Sequence, residues 1–425
     1  MLDVSYPIAR VQLDNGLAVL ASHDPLAPGI AVNLWYAVGS ADDPAEATGL
    51  AHLFEHLMFA GSAGVASGEH LALVESLGGS ANATTSFDRT NYYETLPVHA
   101  FRLALWLEAD RLGSLTLDQG NFDTQRSVVQ EEKRQRFDNV PYGDQLALLL
   151  KLNFPSGHPY ARPPIGSMAH LDSASLSQTR AFHQAWYRPD RASLVVVGPL
   201  ADDEVFAQAE RYLGRIPLPG GPGGTPAPVE PLPPHEGVPR LRVQRNVPSA
   251  AVHLCWRTPP LGHADEDAVA LALDILAAGQ ACRLHRTLVR DKEAAEAVGV
   301  NDFGLARGTS LSCLVARPRA GHDLDELEEA MLDAVRDLGR DGPSAQELDR
   351  AQAAAEREWF SQLATIDTRA DQLNEDLTLL GDPGRINRRI ASLHAVTAED
   401  VAHAAATWLD PSGRAVLDYE TEVPA

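Results

Sequence analysis

The strongest constraint on the fold is a proline- and glycine-rich segment at residues 217–239, near the middle of the 425-residue chain. Nine of its residues are proline and five are glycine. Proline has no backbone N–H donor and glycine favours no single conformation, so the segment is a poor candidate for a helix or a strand. We therefore predict an N-terminal domain at 1–216, a linker at 217–239 and a C-terminal domain at 240–425.

The two predicted domains carry similar orders of elements. Asn15-Gly16 lies at the centre of the alternating segment 11–22, which is typical of a β-hairpin. The rest of the first domain indicates strands at 30–37, 78–97 and 192–200 and helices at 51–61, 98–113, 122–139 and 202–214. The second domain indicates strands at 241–260, 309–318 and 414–420 and helices at 265–292, 323–339 and 344–364. This order predicts a duplicated α+β unit, in which each domain has a mostly antiparallel sheet flanked by helices.

The charge of the chain narrows its class of partner. It has 58 acidic and 35 basic residues, which gives a formal net charge of −23. Such a surface repels the phosphates of nucleic acids and anionic membranes, whereas it suits basic peptides or simply keeps the protein soluble. The charge therefore predicts neither nucleic acid nor membrane as a partner, and by itself it leaves basic peptides and plain solubility both open.

Cysteine usage and the N-terminal sequence bear on the cellular compartment. Cys255, Cys282 and Cys313 are widely spaced in apolar runs, which predicts buried free thiols and no disulfide framework. The N-terminal residues contain no basic segment followed by an apolar run, so they predict no secretory signal. No stretch approaches the roughly 18 apolar residues that a membrane span requires. Together these patterns predict a cytoplasmic protein.

The most informative chemical motif is His-Leu-Phe-Glu-His at 52–56. On a helix, His52 and His56 share one face, so both imidazoles can bind one ion. Zinc accepts imidazole nitrogens, and a catalytic zinc site has three protein ligands and an open position. Glu55 stands three positions after His52, where its carboxylate can take a proton from the attacking water. The motif is the inverted zincin sequence, His-x-x-Glu-His.

A five-residue match also fits an ordinary helix with polar residues at its surface. The context favours a metal site, because the motif interrupts an apolar run in which unpaired imidazoles and carboxylates are costly. The third ligand must come from another segment, and the charged helix at 122–139 offers Glu131 and Glu132. Consecutive helical residues point about 100° apart, and this reasoning alone leaves both glutamates open.

At this point the sequence resembles the pitrilysin-like zinc peptidases, peptidase family M16, over nearly the whole chain. In that family a glutamate ligand follows the motif at the interval that separates His56 from Glu132, which is 76 positions. The residues before Glu132 match the family pattern Glu-Arg-x-x-Val-x-x-Glu, except that Gln125 replaces the first glutamate. The resemblance implies one zinc ion per chain, bound by His52, His56 and Glu132, with Glu55 as the catalytic base.

The resemblance also implies how substrate binds. Asn82, Ala83 and Thr84 correspond to the strand edge to which a peptide adds as a further strand, although these residues also fit a plain polar edge. Gln125 stands where an acidic group orients the metal ligands in the family, and here it offers an uncharged hydrogen-bonding group.

The implied activity is that of a zinc-dependent endopeptidase of the processing-peptidase-like type. It acts on peptides or unfolded segments, as the metal-bearing subunit of a two-subunit clamshell enzyme. Family members often carry an arginine and, seven residues later, a tyrosine that contact the substrate; Arg290 matches the arginine, whereas Ala297 occupies the tyrosine position. The resemblance therefore implies a heterodimer whose sister subunit supplies that pair, with a homodimer as the alternative arrangement. A non-catalytic peptide-binding or scaffold subunit of the same family is the alternative function.

Overall fold

The computed structural model describes residues 4–422. Its strands are β1 (Ala9–Gln12), β2 (Ala18–His23), β3 (Ile30–Tyr36), β4 (Ser80–Thr85), β5 (Thr90–Leu96), β6 (Ala192–Gly198), β7 (Arg240–Arg245), β8 (Ala251–Thr258), β9 (Ala295–Asp302), β10 (Ser310–Pro318) and β11 (Ala415–Thr421). Its helices are α1 (Leu50–Leu57), α2 (Glu69–Ser76), α3 (Phe101–Ser114), α4 (Gln119–Lys133), α5 (Gln145–Asn153), α6 (Met168–Ser173), α7 (Leu176–Trp186), α8 (Asp202–Tyr212), α9 (Glu266–Ala277), α10 (Leu324–Asp341), α11 (Ala345–Gln362), α12 (Ile366–Leu380), α13 (Arg385–Ala395) and α14 (Ala398–Trp408).

The chain forms two compact units, and each takes segments from both halves of the sequence. The first unit contains the chain up to Arg134, together with Arg162–Ala227 and Trp359–Arg389. The second contains Gln135–Ala161, Pro228–Glu358 and the chain from Ile390 onward. The proline- and glycine-rich segment 217–239 contains no helix or strand, as its composition predicts. A division at that segment alone does not describe the two units, because 135–161 and 359–389 pack with the opposite half of the sequence.

Each unit contains one sheet, and the five strands of the second sheet correspond to five of the six strands of the first; among residues 4–422, β1 has no counterpart in the second sheet. The order in the first is β1-β2-β6-β3-β5-β4, and in the second it is β7-β11-β8-β10-β9. In the first sheet β6 is parallel to β2 and antiparallel to β3. In the second sheet β11 is likewise parallel to β7 and antiparallel to β8. The predicted α+β duplication is confirmed, and β4 and β9 are the corresponding edge strands.

The region after β8 differs from the helix predicted at 265–292. Helix α9 ends at Ala277, and a wider helical turn follows at His285–Asp291. Gly279 between them has φ +70°, a left-handed conformation that interrupts a helix. The strand β9, which the sequence reasoning did not predict, then completes the second sheet. Its mixed polar and small residues give only a weak strand pattern.

Helix α12 covers one face of the first sheet, although it comes from the C-terminal half of the sequence. Leu373 and Leu377 of this helix pack in one buried cluster with Val195 of β6. Asn374 is fully buried, and its side-chain amide donates to the backbone oxygens of Asn33 (2.9 Å) and Ser193 (3.2 Å). These hydrogen bonds satisfy buried polar groups and fix the helix against β3 and β6.

Two further features agree with the sequence analysis. The predicted buried free thiols are confirmed for Cys255, Cys282 and Cys313. Among residues 4–422, no helix combines the length and the apolar character needed to cross a membrane.

Candidate metal centre

Helix α1 presents two chemically different faces. Leu53, Phe54 and Leu57 are completely buried against the core. His52 and His56 lie on the other side of the helix, where their side chains are 12% and 23% exposed. Their ring centroids are 5.0 Å apart. The four-residue spacing therefore brings both imidazoles to one partly exposed place, as predicted from the motif.

Helix α4 brings a carboxylate to the same place. The Oε2 atom of Glu132 lies 3.3 Å from Nε2 of His56 and 3.6 Å from Nε2 of His52. Donor atoms about 2.0–2.2 Å from a tetrahedral zinc ion are about 3.3–3.6 Å apart. The three side chains thus fit a single zinc ion in both chemical type and spacing.

The neighbouring glutamate of α4 points elsewhere. Glu131 is 54% exposed and forms an ion pair with Arg134 at 3.2 Å. Glu131 and Glu132 point in different directions, and the buried side chains of Phe122 and Val129 fix the rotation of α4 about its axis. Gln125 lies seven residues before Glu132 and is partly buried, and its side chain forms no hydrogen bond with any residue in the range 4–422. Its predicted role in orienting the ligands stays a prediction.

Glu55 lies on α1 beside the two imidazoles. Its Oε2 atom accepts a hydrogen bond of 2.6 Å from the hydroxyl of Thr85, at the end of β4. Burial raises the pKa of Glu55; the hydrogen bond from Thr85 and the imidazole of His56 oppose this rise, whereas Glu132 adds to it. Two carboxylates and two imidazoles thus share one partly buried place, and a divalent cation bound there would offset the repulsion between the carboxylates.

Comparison with protein families agrees with this geometry. The family profile described as "Insulinase (Peptidase family M16)" matches residues 18–153, which include all four residues of the site. The profile described as "Peptidase M16 inactive domain" matches residues 173–355. The chain belongs to peptidase family M16. Helix α9, which follows β8 as α1 follows β3, contains no histidine, so the second sheet has no counterpart of the motif on that helix.

Individual relatives in the M16 family resemble this chain along most of its length. "Zinc protease PqqE" of Helicobacter pylori is 28% identical over 359 residues, which cover 83% of this chain and 79% of that protein. "Uncharacterized zinc protease YmxG" of Bacillus subtilis is 24% identical over 397 residues, covering 93% and 94%. The crystal structure of a protease from Helicobacter pylori superposes with a TM-score of 0.91 at 25% identity, covering 98% and 99%.

The strand that M16 peptidases are expected to use for substrate lies at the edge of the first sheet. Asn82, Ala83 and Thr84 belong to β4, which pairs with β5 on one side only. Asn82 is exposed, and its side-chain oxygen accepts a hydrogen bond of 2.9 Å from the backbone N–H of Ala83. The predicted substrate residues therefore lie on a strand that can accept another strand.

The residues that match the M16 arginine and tyrosine positions lie in the second unit. Arg290 is 63% exposed and pairs with Asp291 at 2.9 Å. Ala297 lies in β9, opposite Arg317 of β10. Its methyl group cannot supply the hydroxyl that the tyrosine offers in other family members, as the sequence indicated.

A residue that the sequence analysis missed caps the N-terminus of helix α1, which carries His52 and His56. Helix α1 begins after Gly49, which adopts a left-handed φ of +94° and has no side chain that could cap the helix. The carboxylate of the buried Asp43 takes this role, because its oxygens accept hydrogen bonds from the backbone N–H groups of Gly49 (2.6 Å) and Ala51 (2.9 Å). The only sequence signal is an acidic residue a few positions before a helix.

Removal of this cap is expected to destabilise the first unit. In Asp43→Ala, two buried N–H groups lose their acceptor, and we expect the free energy of unfolding to fall by about 1–3 kcal/mol. Urea denaturation followed by circular dichroism measures the loss. Glu46→Ala is the matched control, because Glu46 is exposed in the same loop and forms no hydrogen bond within the described residues. Equal stability of the two variants would contradict this role for Asp43.

Proposed function

We propose that this chain is a zinc-dependent endopeptidase that cleaves peptides or unfolded segments. The proposal rests on the spacing of the donor atoms of His52, His56 and Glu132, which suits one zinc ion. Glu55 lies beside these three side chains. The relatives that bear the name zinc protease support the same metal and the same class of reaction.

The chemistry divides between the ion and the side chains. Bound zinc supplies Lewis-acid polarisation of the scissile carbonyl and lowers the pKa of water. His52, His56 and Glu132 would hold the ion through three donor atoms, the number of protein ligands that a catalytic zinc site has. Glu55 then takes a proton from the attacking water and gives it to the leaving amine.

The edge strand β4 supports a peptide as the substrate. An extended peptide that pairs with β4 at Asn82–Thr84 lies next to Thr85, whose hydroxyl contacts Glu55. Main-chain pairing of this kind depends little on side chains, so it suits many extended sequences. A folded protein offers few such segments, which favours peptides and unfolded regions as substrates.

The absent tyrosine supports a two-subunit enzyme. Because Ala297 cannot supply a hydroxyl, two copies of this chain would both lack it. We therefore propose that this chain contributes zinc and that a sister M16 chain contributes the arginine and the tyrosine.

Peptide cleavage by this chain, alone and together with a sister M16 chain that carries the tyrosine, tests both parts of the proposal. We expect cleavage of an unstructured peptide by the pair, loss of cleavage after treatment with 1,10-phenanthroline, and recovery when zinc is added. The chain alone is expected to bind zinc and to cleave slowly.

The possible outcomes separate the alternatives. Full activity of the chain as a homodimer would show that no sister subunit is needed, and the proposed peptidase activity would stand. Zinc binding and peptide binding without cleavage by either preparation would favour a non-catalytic peptide-binding subunit.

A further inference from the structure

Thr85 forms a direct hydrogen bond with the side chain proposed as the catalytic base. Its Oγ1 atom donates to Oε2 of Glu55 at 2.6 Å, a distance typical of a hydrogen bond from a hydroxyl to a carboxylate. The other carboxylate oxygen of Glu55 accepts no hydrogen bond from any residue in the range 4–422. One oxygen is thus engaged by the protein, and the other is left open for chemistry.

The position of Thr85 is fixed by the backbone around it. It is the last residue of β4 and lies opposite Thr90 of β5. In the turn that follows, the N–H of Ser86 donates to the backbone oxygen of Arg89 at 2.9 Å, and the oxygen of Ser86 accepts from the N–H of Ser40 at 3.1 Å. The turn is therefore held both internally and by the segment after β3.

The side chain of Thr85 is also restricted. Its branched Cβ limits rotation about χ1, so the hydroxyl keeps one direction more strictly than a serine hydroxyl does. The pleat of β4 places Thr84 on the opposite face, where its hydroxyl donates to Asn91 at 2.6 Å. Only one of the two adjacent threonines therefore faces Glu55.

We propose that Thr85 is the positioning residue of Glu55: its hydroxyl holds Oε2 and leaves Oε1 as the atom that takes the proton from water. This inference rests on the proposed peptidase function. Glu55 has a flexible side chain, and its carboxylate shares the site with that of Glu132, which repels it. A neutral donor on a rigid strand holds the carboxylate in one orientation and keeps its negative charge, whereas a cationic partner would neutralise that charge.

The test compares three variants of the full chain, in whichever preparation cleaves peptide. Thr85→Val removes the hydroxyl with little change of shape, and Thr85→Ser keeps it. Thr90→Val is the matched control, because the buried hydroxyl of Thr90, the strand partner of Thr85, donates to the backbone oxygen of Val38 at 2.9 Å and not to Glu55. Each variant is measured for kcat, KM, bound zinc and Tm, and crystal structures of wild type and Thr85→Val record the orientation of Glu55.

We expect kcat of Thr85→Val to fall by about 10- to 100-fold, since misplacement of a catalytic group by about 1 Å has effects of this size. KM and zinc content stay at the wild-type values, and the Glu55 carboxylate takes more than one orientation in the crystal. Thr85→Ser recovers most of the wild-type kcat. Thr90→Val lowers Tm but keeps kcat.

Several results would overturn the inference. They are a wild-type kcat in Thr85→Val, an unmoved Glu55 in its crystal structure, failure of the serine variant to recover activity, or an equal loss of kcat in Thr90→Val. If Glu55→Gln abolishes turnover while Thr85→Val does not, the peptidase function stands and the role of Thr85 is wrong. If wild type shows no zinc-dependent cleavage in any preparation, the proposed function itself fails, and the role of Thr85 fails with it.

Discussion

Glu55→Gln is expected to lower kcat by about 10²- to 10⁴-fold, the usual contribution of a general base. Glutamine has nearly the same size as glutamate, and its amide oxygen can still accept the hydrogen bond from Thr85. It cannot take a proton from water at neutral pH. His52, His56 and Glu132 are unchanged in this variant, so bound zinc is expected to stay at the wild-type level.

Steady-state cleavage of a fluorogenic peptide and elemental analysis of the purified protein measure the two quantities separately. Glu131→Gln is the control, because it makes the same chemical change at an exposed glutamate that pairs with Arg134. A variant at Glu55 that turns over substrate at the wild-type rate would show that another group is the base. A variant that loses zinc would show that Glu55 helps to hold the ion.

Glu132→Ala is expected to remove zinc and, with it, all peptidase activity. Two imidazoles remain, and they supply only two of the three protein donors that a catalytic zinc site has. Loss of an outer partner of a metal ligand costs about 10- to 100-fold in affinity, and we expect the loss of a ligand itself to cost more.

Competition with a zinc-binding dye measures this affinity, and Glu131→Ala is the neighbouring control on the same helix. The side chains of Glu131 and Glu132 are one position apart, yet only Glu132 lies within 3.6 Å of both imidazoles. Wild-type zinc affinity in Glu132→Ala, or an equal loss in Glu131→Ala, would show that the ligand set is wrong.

Local sequence patterns were sufficient where a short segment determines its own structure. The Asn15-Gly16 turn predicted the hairpin that β1 and β2 form. The four-residue spacing of His52 and His56 predicted a shared helical face, because helical periodicity alone fixes that geometry. These features need no information from the rest of the chain.

Other features depend on contacts between distant segments, which periodicity does not contain. Which of Glu131 and Glu132 lies beside the imidazoles depends on how α4 is rotated against the core, and only resemblance to a family indicated this beforehand. Thr85 gave no signal, because its importance arises from a contact with a residue 30 positions earlier. Helix α12 has an ordinary amphipathic pattern that does not reveal which sheet it covers.

The late position of α12 in the sequence affects the order in which the first unit can fold during synthesis. This helix begins at Ile366, 234 positions after Glu132, yet it covers the face of the sheet whose opposite side supports the metal residues. During synthesis the segments that carry the proposed metal ligands emerge first, and the apolar surface of β3 and β6 stays uncovered until α12 has left the ribosome. The proposed metal site therefore gains its full structural support late in synthesis, and a nascent chain that stops at the central linker leaves an apolar sheet face exposed to aggregation.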